Sequence, residues 1–529
     1  MSCLIVPKRS FLPFLVLIGF LDTSSLSSAA RPQSDLGAGE QADDPVRRAI
    51  LFKDPFPRNV TELRQRLREL GGTLNSHLVA NGGHEHPVAP ARVMFMSFET
   101  YSGPEPGGRV EEGDLFLGYF LVRQGNQIVV SGNFVELIAW DRTKRVFNFW
   151  ELTDGKWQFR GDSNDVLENV TSVNMGLPSP TFKFVRDSPD GTPVLRCSGC
   201  HTLGSPIMKE LEPPHNDWWT SEHKLPLSGF QLGTDASRLF ETARDASNLA
   251  RHVSNGIDRL IAARGTTQGR KHLLRSLFST MEMNLLSDRL PFTTRVQNGA
   301  AVEIPAAFFA DLRLAGQAPP IRVSVDVYQQ ALAKVQSRFP TAVATTSRET
   351  RHAFLIPARS HIDNRFIDAL IEDGVIDDEF VADVLSVDMT TPVYSKTRSV
   401  LIKFVSEAVE GPDELREHLI KELRNAPAGD RAASELLKNL TDPARTMAAH
   451  RAAAAAYLEA CAAAASDPVT IEAWLRIANQ RRQAIDDAET ALHPDGTITE
   501  KGFREVFPMQ QPSAPLRLNS GTCRAELQS

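Results

Sequence analysis

The sequence predicts an α+β, multidomain protein: an antiparallel β-rich N-terminal region, a short cysteine-bearing segment, then a mainly α-helical C-terminal region. Three observations predict it. From Arg92 to about Phe159 the apolar residues recur with period two and are rich in aromatic and β-branched types, as half-buried strands require. Beyond Ser221 the apolar spacing becomes three and four, one face of a helix. Between them runs a Pro- and Ser-rich stretch, Gly176 to Pro193, that carries neither period. These shifts divide the chain at 1–30, 31–87, 88–190, 191–224 and 225–529.

Residues 1–30 read as an export signal peptide. Lys8 and Arg9 form a basic start, Phe11 to Leu21 is apolar, and Ser28-Ala29-Ala30 offers small residues for cleavage. The apolar run falls short of the roughly 20 residues a membrane span needs, and no later stretch is long and apolar enough, so no integral span is expected after cleavage. The formal charge is −7, and removing Lys8, Arg9 and Asp22 takes away a further net +1. A mildly acidic chain without a basic block excludes nucleic acid and anionic membrane surfaces as partners. Its 529 residues, 42% hydrophobic, have room for about two to four domains.

Arg31 to Asp44 is a polar linker. Asn59-Val60-Thr61-Glu62 reads as a capping box that opens a helix with Val60, Leu63, Leu67 and Leu70 inward and Gly71 as its stop. The loop His84-Glu85-His86, with His77 near it, reads as polar loop chemistry rather than a metal site. Strands follow at Leu115–Arg123, Gln127–Val130, Phe134–Trp140, Arg145–Leu152 and Lys156–Phe159, with turn residues at Gln124-Gly125-Asn126 and Asp154-Gly155. Such short connections build an antiparallel meander, and Trp140, Trp150 and Trp157 are expected in its core.

Arg196-Cys197-Ser198-Gly199-Cys200-His201-Thr202 spells C-x-x-C-H. With 5 cysteines and 13 histidines, random placement yields only about 0.001 occurrences. The other cysteines, Cys3, Cys461 and Cys523, are isolated, which removes a zinc ribbon, and a redox dithiol leaves His201 unexplained. Here the chain resembles the c-type cytochromes, over about Cys197–Trp219. The resemblance implies one covalent haem c, thioethers from Cys197 and Cys200, and His201 as proximal iron ligand. It also implies cytochrome c maturation machinery, an unidentified redox partner and, with the leader, a bacterial periplasm. Pro206 resembles the proline that many such proteins place after the proximal histidine. Pro213-Pro214-His215-Asn216-Asp217-Trp218-Trp219 is expected to help enclose the haem, because tandem tryptophans seldom face water.

The second axial position decides between functions. Met208 follows His201 by only seven residues, so its expected role is packing. His215 has comfortable reach and is open to three readings: ligand, distal acid–base group or core histidine. Met281 falls on a core stripe with Leu274, Leu277, Phe278 and Leu285, whereas Met283 is off it. Met389 stands in a loop before Pro392. The distal candidates are His215, Met389 and Met283.

Farther on, Ser360-His361-Ile362-Asp363 opens a helix stopped at Gly374, Asp377 starts another, and helices begin near Ser399, Asp413, Arg431, Pro443 and Pro468. Pro494 to Thr499 resembles part of an EF-hand loop but lacks its carboxylates, and the three N-x-T sequons matter only in a glycosylating pathway. Cys461 and Cys523 either pair or stay free. The leading expectation is an exported mono-haem c-type cytochrome that transfers electrons. The alternatives are a haem-dependent peroxidase- or oxygenase-like enzyme with an open distal face, and a haem-based sensor or scaffold.

Overall fold

The alternation seen from residue 92 onward builds one antiparallel sheet. The computed structural model describes residues 36–80, 93–132, 134–164, 185–187, 193–195, 201, 203–208, 218–225, 227, 229–266, 269–279, 283–286, 301–338, 354, 356–491 and 514–527. Its main strands are β1 (Thr73–Ala80), β2 (Val93–Glu105), β3 (Gly108–Val110), β4 (Leu115–Gln124), β5 (Gln127–Val130), β6 (Phe134–Asp141), β7 (Val146–Thr153) and β8 (Lys156–Asp162). The order is β1-β2-β4-β6-β7-β8, with β3 folded back on β2 and β5 on β4. The expected strands lie within a few residues of those observed. The first strand, β1, was not anticipated, because Thr73–Ala80 mixes Asn, Ser and His into its apolar positions.

Both faces of this sheet are covered, so successive side chains enter different cores. Leu115, Leu117, Tyr119 and Leu121 of β4 face one core with Trp150 and Trp157, closed by α1 (Val60–Glu69) and α2 (Thr234–Thr242). Phe116 of β4, with Val79, Ile138, Trp140 and Phe149, enters the other. That second core continues without a break into the helices: α3 (Ala246–Arg264), α4 (Arg270–Phe278) and, farther out, α6 to α9. A third core surrounds α5 (Val325–Arg338) and Trp474.

The remaining helices are α6 (His361–Glu372), α7 (Asp378–Leu385), α8 (Pro412–Arg424), α9 (Arg431–Thr441), α10 (Met447–Ala464) and α11 (Pro468–Ala491). Their starts follow local capping. Asn59 accepts from Glu62 N at 2.9 Å, Ser360 from Asp363 N at 3.1 Å and Asp377 from Phe380 N at 2.6 Å. One helical expectation is corrected. The stripe from Leu274 does not run on to Leu285: α4 ends at Phe278, Ser279 is extended, and Met283–Leu286 pairs as a strand with Ile356–Arg359. Cross-strand pairing has overridden the helical period there. Cys461 and Cys523 form a disulfide inside the third core, with Trp474 Nε1 donating to Cys523 O at 2.9 Å. Among the described residues no helix is long and apolar enough to cross a membrane.

Candidate haem site

His201 is the described member of the C-x-x-C-H signature; Cys197, Cys200 and His215 lie outside the described residues. Immediately after it the chain turns, with Gly204 N–H donating to His201 O at 2.8 Å. Gly204 has φ +67°, and a Cβ there would meet Ser163 Cα at 2.7 Å, so conformation and packing both demand glycine. Ser163, just past β8, donates to Gly204 O at 2.5 Å and accepts from Phe147 N at 2.9 Å. The turn is thereby fastened to β7. On its other side Pro206 meets α3 at Gly256, where a Cβ would come within 2.7 Å of the Pro206 ring. Sheet, turn and helix are locked at one point.

This arrangement orients the imidazole. His201 Nδ1 lies 2.8 Å from Ser205 O, and a carbonyl only accepts, so Nδ1 carries the proton and Nε2 the lone pair. Burial pushes the His201 pKa below its ordinary value, opposed by the Ser205 bond and the Glu136 charge. A neutral imidazole with a fixed tautomer is the form that ligates a metal. The Phe149 ring sits 5.6 Å from it, centroid to centroid.

His201 lines a narrow cleft of about 80 Å³ between the sheet and α3. Met96, Phe98, Phe116 and Ile138 form the sheet wall, and Leu249 and Val253 the helix wall. Met208, Pro206 and Trp218 close it beside the histidine, and Glu136 brings a carboxylate. Trp218 is anchored at the sheet by a bridge to Val79, and Trp219 N–H donates to Leu78 O at 2.8 Å. Trp218 enters the core shared with α3, while Trp219 packs against the opposite core.

The residues present fit a haem. The walls are apolar, one imidazole is held by a backbone carbonyl, and two buried polar atoms at the site, Trp218 Nε1 and Ser205 Oγ, have no partner among the described residues. Among the described residues no group of three or more His, Cys, Asp or Glu side chains would hold a metal ion by itself.

The structure separates the predicted distal groups. Met389, after α7, packs between the second and third cores and lines a different cleft from that of His201. Met283 has a described backbone in a strand, but its side chain is outside the described residues. Met208 does share the cleft; the turn at 201–204 takes up the chain that an opposing ligand would need, which leaves Met208 beside His201 as packing. His77 is held by Phe98 O at 3.1 Å and Asn248 at 3.0 Å, and His84 and His86 lie outside the described residues. Met96 and Glu136 were not singled out by sequence. Their only signal was strand parity, since Met96 and Phe98 share a face with Phe120 and Gly118 across the β2–β4 register.

The chain matches no family model, no curated protein and no solved structure.

Proposed function

We propose that this chain is an exported mono-haem c-type cytochrome that transfers electrons through one covalent haem c. Cys197 and Cys200 would supply the thioethers, and His201 Nε2 the proximal ligand. The observation that carries this reading is the His201–Ser205 bond at the wall of an apolar cleft, which presents an imidazole lone pair from the residue that follows Cys200 in the sequence. When bound, the haem supplies a one-electron couple. The chain's own residues do the rest. Phe98, Phe116, Ile138 and Leu249 exclude water, and Trp218 Nε1 is a donor available to its polar edge. Met96 would be a second residue to hold the haem iron, because its thioether lines the cleft from β2 rather than from the segment bearing His201. The Cys461–Cys523 disulfide supports an oxidising compartment, where c-haem is matured and disulfides persist.

The test is expression with cytochrome c maturation machinery, followed by a haem stain on denatured protein and a pyridine haemochrome spectrum. One haem per chain that survives denaturation is expected. Haem-free protein, or haem lost on denaturation, refutes the reading.

A further inference from the structure

The helical region holds a second group of reactive side chains, remote in sequence from the haem signature. Ser386 Oγ lies 2.7 Å from His450 Nδ1, and His450 Nε2 lies 3.1 Å from Asp383 Oδ1. Protonation follows from the partners. An ionised carboxylate only accepts, so His450 Nε2 carries the proton, Nδ1 holds the lone pair, and Ser386 O–H donates to it. That is the relation of nucleophile, base and orienting group.

The backbone makes it rigid. Asp383 and Ser386 stand one turn apart at the end of α7, and His450 is in the first turn of α10. Asp383 is 1% and His450 3% exposed. Arg416 Nη1 holds the second oxygen of Asp383 at 3.1 Å, and Asn439 Nδ2 donates to Asp383 O at 2.8 Å. The carboxylate is therefore fixed on both oxygens.

Of the three, only Ser386 is half-buried, and with His450 it lines a solvent-open cleft of about 880 Å³. Gly429 to Ala432, the start of α9, line the same cleft with Arg445. This helix start is capped by Asp430, which accepts from Ala433 N at 3.0 Å. The wall is otherwise polar and charged, including Asp430 and Arg517, which selects polar substrates.

We propose that Ser386, His450 and Asp383 form an acyl-transfer site that hydrolyses small polar carboxylic esters. Ser386 Oγ adds to the ester carbonyl as its proton passes to His450 Nδ1, with Asp383 holding the imidazolium. The tetrahedral adduct expels the alcohol, which takes the proton from Nδ1, and an ester to Ser386 remains. Water, deprotonated by Nδ1, then attacks that ester; the acid leaves and Ser386 recovers its proton. Every bond made is matched by one broken, and no co-reactant beyond water enters.

The experiment treats full-length protein, with its disulfide and haem, with a fluorophosphonate and locates the adduct by peptide mass spectrometry; hydrolysis of p-nitrophenyl acetate is followed in parallel. Labelling of Ser386 is expected, with hydrolysis falling by about 100-fold or more in Ser386→Ala and Asp383→Asn. Absence of a Ser386 adduct on folded wild-type protein overturns the proposal and makes the three side chains a clamp between α7 and α10. Hydrolysis by Ser386→Ala within twofold of wild type overturns it equally, and labelling of the wild type decides the matter if a variant does not fold.

Discussion

His201 donates its Nδ1–H to the carbonyl oxygen of Ser205, four residues on, across 2.8 Å. This bond exists because the intervening turn closes at Gly204, whose φ is +67°. Gly204→Ala should therefore destabilise the protein by about 1–3 kcal/mol and lower the haem bound per chain. Gly125→Ala is the control: φ there is +60°, but a Cβ would meet nothing within 4 Å. Chemical denaturation of both variants separates backbone strain from the clash with Ser163.

Ligation by Met96, as proposed, would close the iron to exogenous ligands. Carbon monoxide should leave the reduced wild-type spectrum unchanged, whereas Met96→Ala should take it up and show a lower midpoint potential, because a thioether ligand raises the potential. Uptake by wild-type protein would favour the open-faced, peroxidase- or oxygenase-like alternative.

The Cys461–Cys523 disulfide spans a sequence separation of 62 residues. Loop-closure entropy assigns such a crosslink about 4 kcal/mol of stability. Cys461→Ala/Cys523→Ala should lose a comparable amount in urea denaturation, while the haem spectrum stays intact because the disulfide belongs to the third core.

Two buried histidines set the acid limit. Burial, with Arg251 and His77 nearby, lowers the His252 pKa to about 4, and burial among Arg275, Arg264 and Lys271 lowers that of His272 to about 3. With an ordinary value of 6.5, the unfolded chain binds more protons than the native one between these limits, so stability rises with pH there. The contribution is complete above 6.5 and is lost as pH falls through 4 for His252 and through 3 for His272. Melting temperature against pH should drop steeply below 6.5, and His252→Gln should flatten the upper part of that slope.

Local rules were legible in the sequence where they act alone. The caps at Asn59, Ser360 and Asp377 and the strands from β4 to β8 follow from residues adjacent in the chain. Burial of Trp150 and Trp157, both 0% exposed, follows from strand alternation. What failed depended on distant partners. Met283–Leu286 becomes a strand because Ile356–Arg359 lies beside it. The cleft at His201 draws on β2, β4, β6 and α3 at once, so Met96 and Glu136 carry no mark in their own neighbourhoods. Ser386 and His450 meet across 64 residues of chain, a separation with no motif to announce it.

The tandem tryptophans have a further consequence. β1 is the terminal strand of the sheet, and its outer backbone groups are taken up by Trp218 and Trp219 and by the contacts of Ser76 with Ala243 and Arg244. An uncovered terminal strand is a template for pairing with another chain. The segment that follows the haem signature thus also serves as a cover against self-association. A chain in which Trp218 and Trp219 have not docked would expose β1, so clumping is the expected fate of that form.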